Sequence, residues 1–521
     1  MFKDLTRRDF IKGAAMSFLA VNTLGFLPEN AFAAENCAVK TRYGTFNGFI
    51  DEKGIKTWLG IPFAQPPVGK LRWQAPQPLK PTNKTFDAKK FGFIACQDVD
   101  ENEGASVNPQ SEDCLTLNIW TRGKKKNLPV MVFIHGGGFQ AGGSADPLYN
   151  GTNFAAAHDV VLVTFNYRIN IFGFMNLGAI DSAFEGTGYL GLKDQIAALQ
   201  WIKENIAEFG GNPDNITVFG ESAGSTAIML LLVAPDTKNL FQKAIPQSGS
   251  IFLYNEPQQS VQIVEEFVKI NGAKNMRDLM KKSTDELRNA YIQLTEARGR
   301  RLNDYIPICD GKYFPLDPGK ALKNGAARGI KLLTGTTADE WRYFLMMAEN
   351  LFEILRNEQK KHSPLLARYK AHTPQEIYRA WLKNRPDNLE NFEDFVNQVD
   401  WRVGQELAAE YQSKFGDVYY YLFSEESPDE KLRSCHAIDL PYTFNVGDHI
   451  VPNPNQQLVK VIQTTWTAFA TTGNPNNEFI PHWEKYSAEN RQTMELNSKK
   501  CVLHKDLNTD NLNSLRYLYE S

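Results

Sequence analysis

The sequence predicts an α/β fold in which a mostly parallel central sheet is flanked by helices. Residues 130–135 and 160–166 are almost continuously apolar, as expected of strands covered on both faces. Residues 115–120 and 216–219 are shorter β-branched and aromatic runs, which predict two more strands. A helical pattern over residues 192–209 lies between them, and alternation of strands with helices is the doubly wound plan.

The first 33 residues are interpreted as a targeting segment. The run from Thr6 to Lys12, with Arg7 and Arg8, matches the twin-arginine pattern, and Ala31-Phe32-Ala33 offers a cleavage site. We therefore expect export by the twin-arginine route to the periplasm or the medium. The mature chain, residues 34–521, is expected to be one domain without a membrane span.

Composition excludes several other classes of protein. The net charge is −3 and 42% of the residues are hydrophobic, which indicates a globular chain without the basic face of a nucleic-acid-binding protein. The six cysteines have no metal-ligand spacing, so neither a metal nor a cofactor is expected. The polar loop between Cys96 and Cys114 is the best candidate for closure by a disulfide, worth roughly 3 kcal/mol. Partners for Cys37, Cys309, Cys435 and Cys501 could not be assigned.

Residues 43–73 alternate short apolar runs with Gly and Pro turns, which predicts small antiparallel strands at one edge of the sheet. Farther along, one helical face collects the apolar side chains of Leu192, Ile196, Leu199, Ile202, Ile206 and Phe209. Such a stripe predicts core packing of a helix against the sheet.

A glycine-rich loop, His135-Gly136-Gly137-Gly138-Phe139, directly follows a predicted strand. Consecutive glycines allow backbone N–H groups to converge on one point, which is what a developing oxyanion needs. Gly137 and Gly138, with the N–H of Ala223, are the predicted donors. A phosphate-binding loop is disfavoured because neither of its usual spacings is present. His135 is expected to order this loop.

The strongest functional signal is Gly220-Glu221-Ser222-Ala223-Gly224, between a predicted strand and an apolar helix over residues 223–233. A Gly-x-Ser-x-Gly turn in that context holds its serine in a strained conformation with the hydroxyl clear of the sheet. Ser222 is therefore the predicted nucleophile.

Long charged helical patterns over residues 258–303 and 344–414 predict a helical cap and side subdomain. Aromatic residues in the second segment, such as Tyr343, Phe344 and Phe352, could line an acyl site, although core packing is an alternative role for them.

Several blocks together resemble the type-B carboxylesterase family of α/β-hydrolases. They comprise residues 60–69, 111–120, 135–139, 166–168, 209–224, 247–249 and 466–476, in the family's order. The resemblance covers residues from about 40 to about 490 and implies an α/β-hydrolase fold.

The resemblance implies a triad with the acid at Glu340 and the base at His436. From the residues alone, Asp339 is an alternative acid, and the family's usual glycine after this Glu is replaced by Trp341. Glu221 and Ser248 are implied to lie near the triad. A His436 base would make kcat/KM fall on acidification through a pKa near ~6.5.

The sequence therefore favours a carboxylic-ester hydrolase that acts on small esters through an acyl-enzyme. A lipase with interfacial activation and a non-catalytic binding protein on the same scaffold are alternatives. A cholinesterase is disfavoured because the cholinesterases of this family carry a tryptophan in the loop before the cysteine that corresponds to Cys114, whereas residues 97–113 here contain no aromatic residue. The ester and the oligomeric state are not specified.

Overall fold

The computed structural model describes residues 36–98, 108–299, 301, 303–345 and 363–520. The predicted targeting segment and Phe352 lie outside these ranges. No helix within them is long and apolar enough to cross a membrane.

A mixed 13-stranded sheet organises the fold. Its strands are β1 (Asn36–Thr41), β2 (Gly44–Ile50), β3 (Lys56–Pro62), β4 (Thr85–Asp87), β5 (Thr116–Thr121), β6 (Leu128–Ile134), β7 (Val161–Phe165), β8 (Gly211–Glu221), β9 (Lys243–Gln247), β10 (Lys331–Thr337), β11 (Val418–Phe423), β12 (Gln492–Leu496) and β13 (Val502–Lys505). The order is β1-β2-β3-β5-β7-β6-β8-β9-β10-β11-β12-β13, and β4 pairs with β2. All neighbours from β7 to β12 are parallel, whereas β5 and β13 join antiparallel.

Seventeen α-helical segments are present in the described ranges. They are α1 (Thr152–Ala157), α2 (Asn170–Gly173), α3 (Leu190–Asn205), α4 (Ala223–Leu231), α5 (Val261–Ile270), α6 (Met276–Met280), α7 (Thr284–Ala297), α8 (Pro318–Lys323), α9 (Trp341–Leu345), α10 (Pro364–Arg368), α11 (Pro374–Leu382), α12 (Leu389–Asn397), α13 (Val403–Gln412), α14 (Leu440–Phe444), α15 (Gln456–Thr472), α16 (Thr509–Leu515) and α17 (Tyr517–Glu520). A π-helical turn, Gln398–Arg402, joins α12 to α13.

The predicted strands and the long helix are confirmed to within a few residues, except that β8 begins five residues earlier than expected. The apolar stripe of α3 and the 3-10 turn after it is buried, with every member at most 4% exposed. The described parts of the two charged segments are mainly helical, as α5 to α7 and α9 to α13, and Ser283 and Thr373 cap two of these helices through capping boxes.

The sheet is covered by apolar residues on both faces. Along β6, Val130, Val132 and Ile134 pack into one core cluster, whereas Met131 and Phe133 pack into another. Successive side chains of a strand point to opposite faces, so two cores separated by the sheet explain why this strand is apolar throughout. Because β6, β8, β9, β10 and β11 run parallel, the carboxyl ends of β6, β8, β10 and β11 lie at the same edge of the sheet.

The predicted disulfide between Cys96 and Cys114 is not formed in this structure, where both residues are free thiols. Both line the same small cavity beside Arg72 and Trp73. Burial raises the pKa of Cys96 to about 12 and that of Cys114 well above its usual range. Because the thiolate is the reactive form, buried thiols of this kind are poorly prepared for oxidation.

Candidate active site

Ser222 lies at the turn between β8 and α4. Its φ is 58° and its ψ is −121°, a conformation that costs a non-glycine residue of order 1–3 kcal/mol. The turn is held because the Ser222 N–H donates to the carbonyl of Gln247 (3.0 Å) and the Ser222 carbonyl accepts from the N–H of Thr226 (2.9 Å). The Ser222 side chain is only partly buried, so its hydroxyl is open to a ligand.

The glycines of this turn are required by close approach to β6. A Cβ added to Gly224 would lie 2.0 Å from the carbonyl oxygen of Ile134, which no side chain tolerates. The glycine-rich loop after β6 also approaches this turn, since a Cβ on Gly136 would lie 3.0 Å from the Glu221 carbonyl oxygen and 3.1 Å from the Ser222 Cβ. Strand, loop and nucleophile turn therefore pack backbone against backbone.

The loop that carries Gly137 and Gly138 begins beside the nucleophile turn, where Gly136 approaches Ser222. Gly137 has a φ of 101°, and its carbonyl accepts from the N–H groups of Gln140 and Ala141, which folds the loop into a compact turn. Within the described residues, the N–H groups of Gly137, Gly138 and Ala223 donate to no backbone carbonyl. Unused N–H groups at the start of a helix and in a tight turn suit a developing negative charge.

His135 orders this loop, as predicted. It is 2% exposed, its ring stacks on Tyr167 at 4.3 Å, and its Nδ1 lies 2.9 Å from the Gly136 carbonyl. Burial lowers the pKa of His135 to about 4, so the ring is neutral near pH 7.

The structure brings Glu340 and His436 together at the carboxyl ends of β10 and β11. Glu340 Oε2 lies 2.5 Å from His436 Nδ1, and Glu340 Oε1 accepts from the Thr337 N–H at 2.8 Å. Asp339, the alternative acid, is turned away and accepts from the Ser434 N–H. Trp341, which stands where a glycine was expected, begins α9 without displacing Glu340.

Glu221 lies on the other side of the imidazole. Its Oε1 is 3.0 Å from His436 Nε2, and all three groups, Glu221, Glu340 and His436, are at most 3% exposed. No hydrogen bond joins the Ser222 hydroxyl to His436 in this structure. The nitrogen that would serve Ser222 therefore faces Glu221.

These buried charges change one another's titration. Burial by itself lowers the pKa of His436, but the carboxylates of Glu221 and Glu340 outweigh it and raise the pKa to about 9. Burial raises the pKa of Glu221 to about 8, opposed by the neighbouring imidazolium. The pair titrates as a coupled unit.

Comparison with known proteins identifies the chain. The sequence model of the carboxylesterase family matches residues 35–515. The chain belongs to the carboxylesterase family. Family membership makes it a carboxylic-ester hydrolase of the serine type.

Individual relatives agree with this assignment. Para-nitrobenzyl esterase of Bacillus subtilis is 36% identical over 481 residues, which cover 89% of this chain and 95% of the relative. Liver carboxylesterase of Sus scrofa is 31% identical, with 84% of each chain covered. Acetylcholinesterase of Danio rerio is 29% identical over 96% of this chain and 91% of the relative.

Solved structures show the same architecture. A carboxylesterase from Geobacillus stearothermophilus superposes with a TM-score of 0.81 at 33% identity, covering 92% of this chain and 99% of that one. A para-nitrobenzyl esterase gives a TM-score of 0.80 at 34% identity with the same coverage. The fold is therefore that of the α/β-hydrolases, as predicted.

Ser248 lies behind the nucleophile turn of this carboxylesterase. It is fully buried, has a φ of 51°, and its N–H donates to the Gly335 carbonyl at 2.9 Å. Its hydroxyl has no hydrogen-bond partner. The hydrogen bond that Ser248 makes in the structure therefore ties it to β10, through Gly335.

Sequence reasoning did not single out Asp439 and Gln247. Gln247 accepts the Ser222 N–H through its carbonyl and donates through Nε2 to Asp439 Oδ2 at 2.7 Å. Burial raises the pKa of Asp439 to about 6. The sequence signal that could have found Asp439 is its position, three residues after His436 and directly before the apolar helix α14.

An aromatic wall covers the imidazole of this carboxylesterase. Trp401 is 4.5 Å from His436, and Phe344 is 5.2 Å from it, measured between ring centroids. Phe344 also stacks on Trp401 at 6.2 Å and 12°. The suggestion that Phe344 lies at the site is supported by these contacts, whereas Trp401 was not anticipated.

No three His, Cys, Asp or Glu side chains converge to hold a metal ion anywhere in the described ranges.

Proposed function

We propose that the protein hydrolyses small carboxylic esters through an acyl-enzyme, with Ser222 as nucleophile, His436 as general base and Glu340 as the acid that orients it. The observation that carries the proposal is the 2.5 Å contact between Glu340 and His436 beside a partly exposed serine on a strained turn. Such a constellation serves acyl transfer, whatever the fold that holds it.

In the proposed reaction, the Ser222 oxygen attacks the ester carbonyl carbon while His436 takes the hydroxyl proton. The N–H groups of Gly137, Gly138 and Ala223 stabilise the resulting oxyanion. The carbon–oxygen bond to the alcohol then breaks, and His436 returns the proton to the leaving oxygen. Water repeats the sequence on the acyl-enzyme and releases the acid.

The reaction requires a hydrogen bond between the Ser222 hydroxyl and His436 Nε2, which has no hydrogen-bond partner among the described residues although Glu221 Oε1 lies 3.0 Å from it. Hydrogen bonds between nucleophile and base are often long or misaligned without substrate and tighten in the complex. A proton on Glu221, whose pKa burial raises to about 8, removes the negative charge that favours the His436 imidazolium. It therefore favours the neutral imidazole, which can accept the Ser222 proton.

The test is hydrolysis of p-nitrophenyl esters from acetate to palmitate by the mature protein, beside Ser222→Ala. Ser225→Ala is the matched control, because Ser225 lies in the first turn of α4, next to Ser222, and its buried hydroxyl has no hydrogen-bond partner among the described residues. We expect turnover and a burst of p-nitrophenol to be lost in Ser222→Ala alone.

Equal turnover by Ser222→Ala and the parent would refute the role of the serine. Activation only above the solubility limit of the ester would favour a lipase. A folded parent inactive on the whole series would favour a non-catalytic binding protein.

We further propose export by the twin-arginine route. The support is the sequence of residues 6–12 and the Ala31-Phe32-Ala33 site. Replacing Arg7 and Arg8 by lysine should leave the precursor in the cytoplasm, as measured by fractionation and immunoblotting. Unchanged export of that variant would exclude this route.

A further inference from the structure

The π-helical turn Gln398–Arg402 lies directly against the candidate active site. It interrupts an otherwise continuous helical run between α12 and α13. A π-helical turn accommodates an extra residue and changes which side chains face inward, and such turns are frequent at functional sites. Here the turn places two consecutive residues, Trp401 and Arg402, towards the two members of the Glu340–His436 pair.

Arg402 contacts the loop that carries Glu340. Its Nη2 donates to the carbonyls of Ala338 (2.9 Å) and Thr337 (3.2 Å), and its Nε lies 3.4 Å from Thr336 Oγ1. No carboxylate of the described residues lies within ion-pair distance of this guanidinium. Its hydrogen bonds are therefore made to the end of β10 and the loop before Glu340.

Thr337 connects Arg402 to the acid. Its carbonyl accepts from Arg402, and its N–H donates to Glu340 Oε1 at 2.8 Å. With Oε1 held in this way, Oε2 points to His436 Nδ1 at 2.5 Å. Hydrogen bonds in such a chain polarise and orient one another, so loss of the guanidinium would loosen the carboxylate.

The neighbouring residues hold the rest of the constellation. The Trp401 ring packs on His436 with centroids 4.5 Å apart and a tilt of 43°. Asn397, immediately before the π-helical turn, accepts the N–H of Trp341 at 2.9 Å through Oδ1. Residues on both sides of Glu340 are thus tied to the same short segment.

We propose that Arg402 is a positioning residue, which fixes the acid loop through the carbonyls of Thr337 and Ala338 and so sets the orientation of Glu340 and His436. This role rests on the proposed function. Arg402 touches neither the ester nor the nucleophile, so it acts only through the groups that it holds.

The test compares Arg402→Met and Arg402→Lys with Arg368→Met. Arg368 is a matched control because it also donates to two backbone carbonyls, those of Phe252 and Tyr254, away from the acid loop. We expect Arg402→Met to lower kcat about 10- to 100-fold with KM nearly unchanged, as small displacements of catalytic groups do. Arg402→Lys should recover only part of kcat, since an ammonium lacks the fork that reaches both carbonyls.

A second readout does not require turnover. The proton on His436 Nδ1, in its short contact with Glu340, should give a downfield proton NMR signal. We expect this signal to shift or broaden in Arg402→Met and to stay in place in Arg368→Met.

The outcomes separate the two proposals. A parent without hydrolysis on any ester rejects the proposed function, and the NMR signal then decides the role of Arg402. An active parent with unchanged kcat and an unchanged NMR signal in Arg402→Met overturns the positioning role. Equal losses of kcat in both methionine variants, or a fully active Arg402→Lys, would also overturn it, because general destabilisation or charge alone would then explain the effect.

Discussion

Replacement of Glu221 by glutamine tests the electrostatics of the site most directly. The carboxylate lies 3.0 Å from His436 Nε2 and favours the imidazolium. Glutamine keeps the size and an acceptor oxygen but removes the charge. Because the general base must be neutral, the kcat/KM of the parent should rise with pH through a pKa well above the 6.5 of a free imidazole, near the value of about 9 for His436.

The size of the effect can be bounded from the geometry. Two unit charges at 3.0 Å interact by ~5 kcal/mol at an effective dielectric constant of ~20. This is a ceiling, because Glu340 still lies against the ring and Glu221 is itself partly protonated. We expect Glu221→Gln to lower the midpoint of the kcat/KM profile by about 1–2 pH units, each unit being ~1.4 kcal/mol.

The assay is kcat/KM for p-nitrophenyl acetate between pH 5 and 10. Glu406→Gln is the control, because Glu406 is another buried glutamate with a raised pKa, hydrogen-bonded to Tyr486 and Asn508. Its replacement should leave the midpoint unchanged. A midpoint that stays in place or moves upward in Glu221→Gln would refute the reasoning.

Three further predictions concern the acid, the turn and the pH dependence of stability. Glu340→Gln should lower kcat about 10⁴-fold, because an amide no longer fixes the imidazole tautomer; a loss below tenfold in steady-state kinetics would argue against its role. Gly224→Ala should lower the Tm far more than Gly272→Ala, because the Gly224 Cβ would meet a β6 carbonyl, whereas Gly272 faces open space and its replacement costs only the backbone strain of a φ of 60°; equal shifts in thermal denaturation would contradict the packing. The raised pKa values of His436 and Glu221 mean that the folded state binds more protons than the unfolded state. The Tm should therefore fall as the pH rises from about 4.5 to 9, over 4.5 to about 8 for Glu221 and over 6.5 to about 9 for His436, and a rise over that range by calorimetry would contradict these shifts.

The sequence predicted the elements whose signals are local. Ser222 could be recognised because a β-branched run, two glycines and an apolar helix are adjacent in the chain. The apolar strands could be recognised because burial on both faces leaves a continuous run. The carboxylates that raise the pKa of His436 above its ordinary 6.5 belong to Glu221 and Glu340, which lie 215 and 96 residues from His436 in the chain, so local sequence signals could not indicate this shift.

Tertiary structure decided what depends on contacts between distant segments. Asp339 and Glu340 are adjacent acids on one loop, and only the packing of β10 beside β11 turns Glu340 to the imidazole. Cys96 and Cys114 line the same buried cavity, but they are free thiols and do not form the predicted disulfide. The sequence by itself thus determined the fold class and the family and predicted the nucleophile, because these follow from local periodicity and contiguous motifs. Only the folded chain shows which of Asp339 and Glu340 faces His436, where Glu221 lies, and which carbonyls accept hydrogen bonds from Arg402. The reason is that distance and burial between remote residues are properties of the folded chain alone.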